Sequence, residues 1–149
     1  SPALSTVPGH ADGSGCIECH SPHGSPNDRD CYLFTWEDVL PHFSFVEEQG
    51  KALCFFGHTH CPGIFSSDGM YAVDADSQFA LSKDKVFFIN PGSVGQPRDG
   101  DPRAAFGVLD TETNMYHQMR VEYPVREAAE RIIDSGWPSF LAERLFLGR

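Results

Sequence analysis

Apolar positions along the chain come in short blocks, separated by polar, Gly- and Pro-rich stretches. Residues 51–57, "KALCFFG", are apolar after the lysine and close at Gly57, the pattern of a strand buried on both faces. Residues 85–90, "KVFFIN", repeat it, so the two blocks are expected side by side inside one sheet. Shorter blocks predict strands at 63–65 and 70–73. Residues 104–110, "AAFGVLD", and 114–123, "NMYHQMRVEY", flank a polar "TET" and predict a hairpin.

A different period marks the helices. "TWEDVL" begins with Thr35 as an N-cap and has acids in its first turn, and Pro41 breaks or restarts this helix before it ends near Gly50. Val125, Ala128, Ala129, Ile132 and Ile133 recur at helical spacing. Gly136 stops that helix, and Pro138 suits the first turn of another that runs to Leu147. Residues 1–22 show neither period and read as a loose N-terminal arm before a folded portion at 23–149. Sequential strands with flanking helices point to a mixed α/β layered fold.

With 149 residues the chain is long enough for one domain with a real core. A net charge of −10 repels nucleic acid and anionic lipid, so neither is an expected partner. A phosphate-bearing substrate would then need local positive charge, which bound metal ions would supply. No apolar run reaches membrane-crossing length, and "SPALSTVPGH" lacks the basic start and apolar stretch of a signal peptide. The five cysteines (Cys16, Cys19, Cys31, Cys54, Cys61) are odd in number and irregular in spacing, unlike a disulfide framework. Cys54, inside an apolar block, is expected to be a buried thiol. A reducing, cytoplasmic setting follows.

The chemistry concentrates in "FFGHTHCPGIF", residues 55–65. In an extended segment, His58 and His60 would point the same way, so their imidazoles could converge on one divalent ion. Gly57 would let the backbone turn before them, and "CPG" would turn it after. The alternative is a pair of exposed loop histidines.

Four stretches carry a resemblance: "HGSPNDRDCYLF" (23–34), "LCFFGHTHCPGIF" (53–65), "FFINPGSVGQPRDGDPRAAFGVLD" (87–110) and the tail at 123–149. In sequence and order they resemble the small prokaryotic branch of the calcineurin-like metallophosphoesterases. The resemblance implies part of a two-layer β-sandwich flanked by helices. It implies His23 and His58 as ligands of one divalent ion and His60 as a ligand of the other, the ions being manganese, iron, zinc or nickel. It implies hydrolysis of a phosphorylated small molecule: a phosphomonoester, a phosphodiester or a dinucleoside polyphosphate. Arg98 and Arg103 are candidate contacts to substrate phosphate, with solvated loop arginines as the plainer alternative. Residues 90–93, "NPGS", are either a tight strand-to-loop turn or a substrate contact.

The earlier half of the family pattern is not in this sequence. Ahead of the GHTH segment there is no Asp-x-His, no Gly-Asp that could supply the bridging carboxylate and no Gly-Asn-His-Asp/Glu. Neutral imidazoles alone cannot offset the repulsion of two nearby divalent ions. The 149-residue chain is therefore expected to be weakly active or inactive alone, and to form a homo-oligomer or bind a partner that completes the domain. A competing motif, Cys16-x-x-Cys19-His20, has the spacing of a c-type haem attachment site. It supports an alternative as a small haem- or metal-binding electron-transfer protein. A non-catalytic remnant of the phosphoesterase fold is a third reading.

Overall fold

The computed structural model of the chain describes residues 16–18, 32–71, 73 and 75–149. Its strands are β1 (Cys16–Glu18), β2 (Leu53–Phe55), β3 (Gly63–Ser66), β4 (Gly69–Tyr71), β5 (Gln78–Ala80), β6 (Phe87–Asn90), β7 (Ala104–Asp110) and β8 (Met115–Val121). Its α-helices are α1 (Trp36–Val39), α2 (Phe43–Glu48), α3 (Val125–Asp134) and α4 (Ser139–Leu147). One sheet has five strands in the order β1-β2-β6-β3-β4, and the other has three in the order β5-β8-β7.

The two apolar blocks are neighbours, as their pattern predicts. β2 runs parallel to β6, with Leu53 opposite Phe87 and Phe55 opposite Ile89. β3 pairs antiparallel on the other side of β6. All four residues of β6 are buried, because alternate side chains feed a core on each face of the sheet. On one face Cys54, Phe56, Phe65 and Phe88 meet Val39, Phe43 and Val46 of the helical segment. Phe43 lies edge-on to Phe88 at 5.2 Å between ring centres. On the other face Leu53, Ile64, Phe87 and Ile89 pack with Tyr116 of the second sheet, and Phe79 and Leu109 close that layer. The result is helix, sheet, sheet: the layered α/β sandwich expected. Cys54 is fully buried, as expected for a thiol in that block.

The helical segment opens with a reciprocal cap. The Asp38 N–H donates to Thr35 Oγ1 at 3.2 Å, and the Thr35 N–H donates to Asp38 Oδ2 at 2.8 Å. Pro41 has no N–H to continue the ladder, and the chain tightens into a 3-10 turn at Leu40–His42 before restarting at Phe43. The Trp36 indole donates to the Ser66 carbonyl at 2.9 Å and fixes the segment to β3.

Two strands depart from the pattern-based reading. β5 was not predicted: its residues are exposed, half-buried and exposed in turn, and only Phe79 reaches the core. β1 lies within the stretch read as a loose arm, yet it pairs in parallel with β2 through three residue pairs. The hairpin of β7 and β8 forms as predicted, with Ala104 opposite Val121 and Asp110 opposite Met115. The helices α3 and α4 also form where their period places them. α4 ends at Gly148, whose φ of 60° is left-handed. Its carbonyl accepts from the Gly100 N–H at 3.0 Å, which docks the end of α4 on the loop that follows β6. Among the described residues no helix is long and apolar enough to cross a membrane.

Candidate functional site

Because β2 and β6 are parallel, the segments that follow them leave the sheet at the same edge. Residues 57–62 and 91–103 therefore form adjoining loops, and the chemistry-bearing residues 58, 60, 98 and 103 all lie on them. The Phe56 N–H still donates to the Ile89 carbonyl at 3.0 Å, so the first loop begins only at Gly57.

The loop is not extended, and this corrects the geometric premise of the sequence reading. His58 has φ 76° and His60 has φ 61°, while Gly57 is not among the positive-φ residues. The Thr59 N–H donates to the Gly57 carbonyl at 3.0 Å, closing a γ-turn of the rare positive-φ kind around His58. Each such residue costs on the order of 1–3 kcal/mol and persists only where its surroundings enforce it. A signal for this was present in the sequence: histidine is one of the few non-glycine residues enriched at positive φ.

The surroundings of both rings are specific. His60 Nδ1 lies 2.7 Å from the Gln96 carbonyl. A carbonyl only accepts, so Nδ1 carries a proton, and in the neutral ring Nε2 then keeps its lone pair, the arrangement that orients a metal-ligating histidine. The His60 carbonyl in turn accepts from the Arg98 N–H at 3.2 Å. The His58 ring lies 4.6 Å from the Tyr32 ring, tilted by 36°, and its Nε2 is buried.

The loop is tied to β6 by Asn90, which the sequence reading left between a turn and a substrate contact. Its Nδ2 donates to Thr59 Oγ1 at 2.8 Å and to the Gly57 carbonyl at 3.4 Å. Its Oδ1 accepts from the Gly92 N–H at 2.9 Å. Gly92 itself has φ 85°, and a Cβ there would lie 2.7 Å from Ala105 Cβ and 2.8 Å from Pro62 Cγ. Residues 90–92 are thus a close-packed turn that backs the histidine loop.

The arginines differ in what engages them. Arg98 donates from NH2 and Nε to Gln96 Oε1, at 2.9 and 3.3 Å, a neutral partner, and no carboxylate among the described residues pairs with it. Arg103 is forked onto Asp101, with NH2 to Oδ2 at 2.6 Å and Nε at 3.0 Å from both oxygens. Those hydrogen bonds hold the Asp101 carboxyl below its usual range. Arg120, only 6% exposed at its side chain, was not singled out from the sequence. It pairs with Asp99 and donates from NH1 to the Arg103 carbonyl at 3.1 Å. Asp99, Asp101, Arg103 and Arg120 line, with Pro62 and Gln118, a polar cavity of about 210 Å³. Burial pushes the Cys61 thiol up, against the opposing pull of Arg98 and Arg120.

Cys19, His20 and His23 lie outside the described residues, as does the side chain of Cys16. Among the described residues no three His, Cys, Asp or Glu side chains gather closely enough to hold a metal ion. The His58–His60 pair fits a divalent ion in donor chemistry but does not complete a coordination shell by itself.

Residues 23–114 match the calcineurin-like phosphoesterase superfamily domain, a span that holds both histidines and both candidate arginines. The chain is 39% identical over 114 residues to an uncharacterized protein of Methanocaldococcus jannaschii, covering 76% of this chain and 46% of that protein. It is similar to the crystal structure of a metallophosphoesterase from Sphaerobacter thermophilus, with a TM-score of 0.81 and 29% identity, over 91% of this chain and 55% of that one. A hypothetical protein from Pyrococcus horikoshii shares the fold with a TM-score of 0.65 and 20% identity, over 90% of this chain and 46% of that one. The chain spans about half the length of these proteins.

Proposed function

The chain belongs to the calcineurin-like phosphoesterase superfamily, and from that premise we propose that it supplies the histidine side of a metal-dependent phosphoesterase site. The observation that carries this reading is the His60 Nδ1 to Gln96 carbonyl contact of 2.7 Å, which leaves Nε2 available as a ligand. His58, held at φ 76° in the same loop, is with His23 a ligand of the other ion, the division that the family pattern implies. A bound divalent ion such as manganese, iron, zinc or nickel supplies Lewis acidity and a water that ionises near neutral pH.

The chain's own residues do the rest. His60 is fixed in one tautomer and cannot rotate without losing its carbonyl partner. Arg98, tied among the described residues to a neutral carboxamide, offers a guanidinium to a phosphoryl oxygen. Arg103, already forked onto Asp101, shapes the adjoining loop before it contacts substrate. The substrate is a phosphorylated small molecule: a phosphomonoester, a phosphodiester or a dinucleoside polyphosphate. The net charge of −10 supports excluding nucleic acid and anionic membranes as partners. The odd number and irregular spacing of the cysteines support a reducing, cytoplasmic setting.

Equilibrium dialysis against Mn²⁺ tests the ligand roles. The chain is expected to retain the ion, and a His58→Ala, His60→Ala double variant is expected to lose it. Equal retention by both proteins would overturn the reading. Turnover of a chromogenic phosphodiester by the 149-residue chain is expected to stay near background, because no bridging carboxylate motif or leaving-group histidine motif is in its sequence. Turnover abolished by the double variant would instead show a complete site.

A further inference from the structure

We infer that Asn90, acting through the Thr59 hydroxyl, is the positioning residue that holds both histidines of the loop in their left-handed conformations. Asn90 is the last residue of β6 and is 1% exposed. It stands opposite Gly63 of β3, so its backbone is set by the central strands rather than by the loop. Its amide nitrogen donates to the residues on either side of His58, Gly57 and Thr59. Thr59 sits between the two histidines and is 3% exposed. Its Oγ1 also accepts from the Cys61 N–H at 3.3 Å, on the far side of His60. One buried hydroxyl therefore joins the rigid end of β6 to the flanks of both imidazoles.

The residue type is demanded by this arrangement. The carboxamide donates to Thr59 and Gly57 while accepting from Gly92, so it needs a donor and an acceptor on one short side chain. Aspartate keeps the acceptor and loses the donor. Leucine loses both. Positive φ at two successive alternate residues is unfavourable without such enforcement. Release of the hydroxyl should let the loop relax and the ring positions drift. The consequence for metal affinity rests on the ligand roles proposed above; the consequence for loop geometry does not.

The test uses the full chain and three variants: Thr59→Val, which keeps the side-chain shape but removes the hydroxyl, Thr59→Ser, which keeps the hydroxyl, and Asn90→Asp. In metal-free protein, hydrogen exchange at the Thr59 amide reports the γ-turn bond to Gly57. Protection is expected in the parent chain and in Thr59→Ser, its loss in Thr59→Val, and a partial loss in Asn90→Asp, where the Thr59 hydroxyl can turn to donate to the carboxylate but the Gly57 carbonyl loses its donor. Zinc alone is then titrated while the histidine ring signals are followed by NMR. His58 and His60 should shift together in the parent and Thr59→Ser, with affinity about tenfold weaker in Thr59→Val. If Asn90→Asp does not fold, Thr59→Val still decides. Retained protection in Thr59→Val overturns the inference, as does lost protection where zinc moves both rings in the parent and binds Thr59→Val with unchanged affinity. If zinc moves neither ring in the parent while Thr59→Val loses protection, the positioning role stands and the proposed metal site fails.

Discussion

Single residues set the geometry of the loop through backbone conformation and close contact. Gly92 shows this most simply. Its φ of 85° disfavours any side chain, and a Cβ there would press on Ala105 and Pro62. Gly92→Ala is expected to lower stability by on the order of 1–3 kcal/mol, read as a shift of the urea midpoint. An unchanged midpoint would mean that residues 90–92 are not packed as described. The sequence made His58 and His60 stand out as two imidazoles one residue apart beside a glycine turn. It did not reveal their left-handed backbone, since the neighbouring Gly57 looked like the residue to take up the turn. Asn90 was hidden for a related reason. Its importance lies in contacts to residues 57 and 59, more than thirty positions away, and no local pattern encodes those.

At the scale of elements, the burial of a strand decides how readily it can be read. β2 and β6 are central and covered on both faces, so their residues are continuously apolar and both were predicted, along with their adjacency. β5 has a single residue in the core and an exposed neighbour on each side, so its alternation is too short to register. β1 contains a glutamate and sits in a polar stretch, and its pairing with β2 comes from backbone hydrogen bonds that side-chain type does not record. The same contrast predicts mutational costs. Phe88 is fully buried between Phe43 and Phe56, whereas Val108 on β7 is 49% exposed. Phe88→Ala should cost about 3–5 kcal/mol and Val108→Ala less than about 0.5 kcal/mol. Comparable costs for the two, measured by urea unfolding, would contradict the placement of the core.

Over the whole molecule, charge and apolar surface give two further expectations. Asp101 is held below its usual range first by the Arg103 side chain, and Asp38 first by the Thr35 backbone N–H. A lowered carboxyl pKa adds stability that is fully present above the unfolded value and is lost as pH falls through the folded one. Their contribution should therefore be flat from neutral pH down to about pH 5 and disappear below about pH 4. Thermal unfolding across that range checks it, and Asp101→Asn should flatten the acid limb. A fall confined to the alkaline side would contradict the assignment. The second expectation concerns association. Trp137 and Phe140 are 64% and 58% exposed, near an apolar hollow of about 340 Å³ between the α3–α4 pair and Gln96. Apolar patches of this kind favour self-association, and sedimentation of the purified chain should show concentration-dependent mass. A monomer at all concentrations would contradict it.

The central claim is that the loop between β2 and β3 presents two histidines to a pair of divalent ions, with His60 coordinating through Nε2 because Nδ1 is committed to Gln96. Anomalous diffraction from a crystal of the chain grown with zinc tests it most directly. The account predicts a zinc peak within about 2.0–2.1 Å of His60 Nε2, and zinc at the same distance from a ring nitrogen of His58 at the other ion position. A zinc ion on His60 Nδ1, or zinc bound elsewhere with both rings unligated, would contradict it.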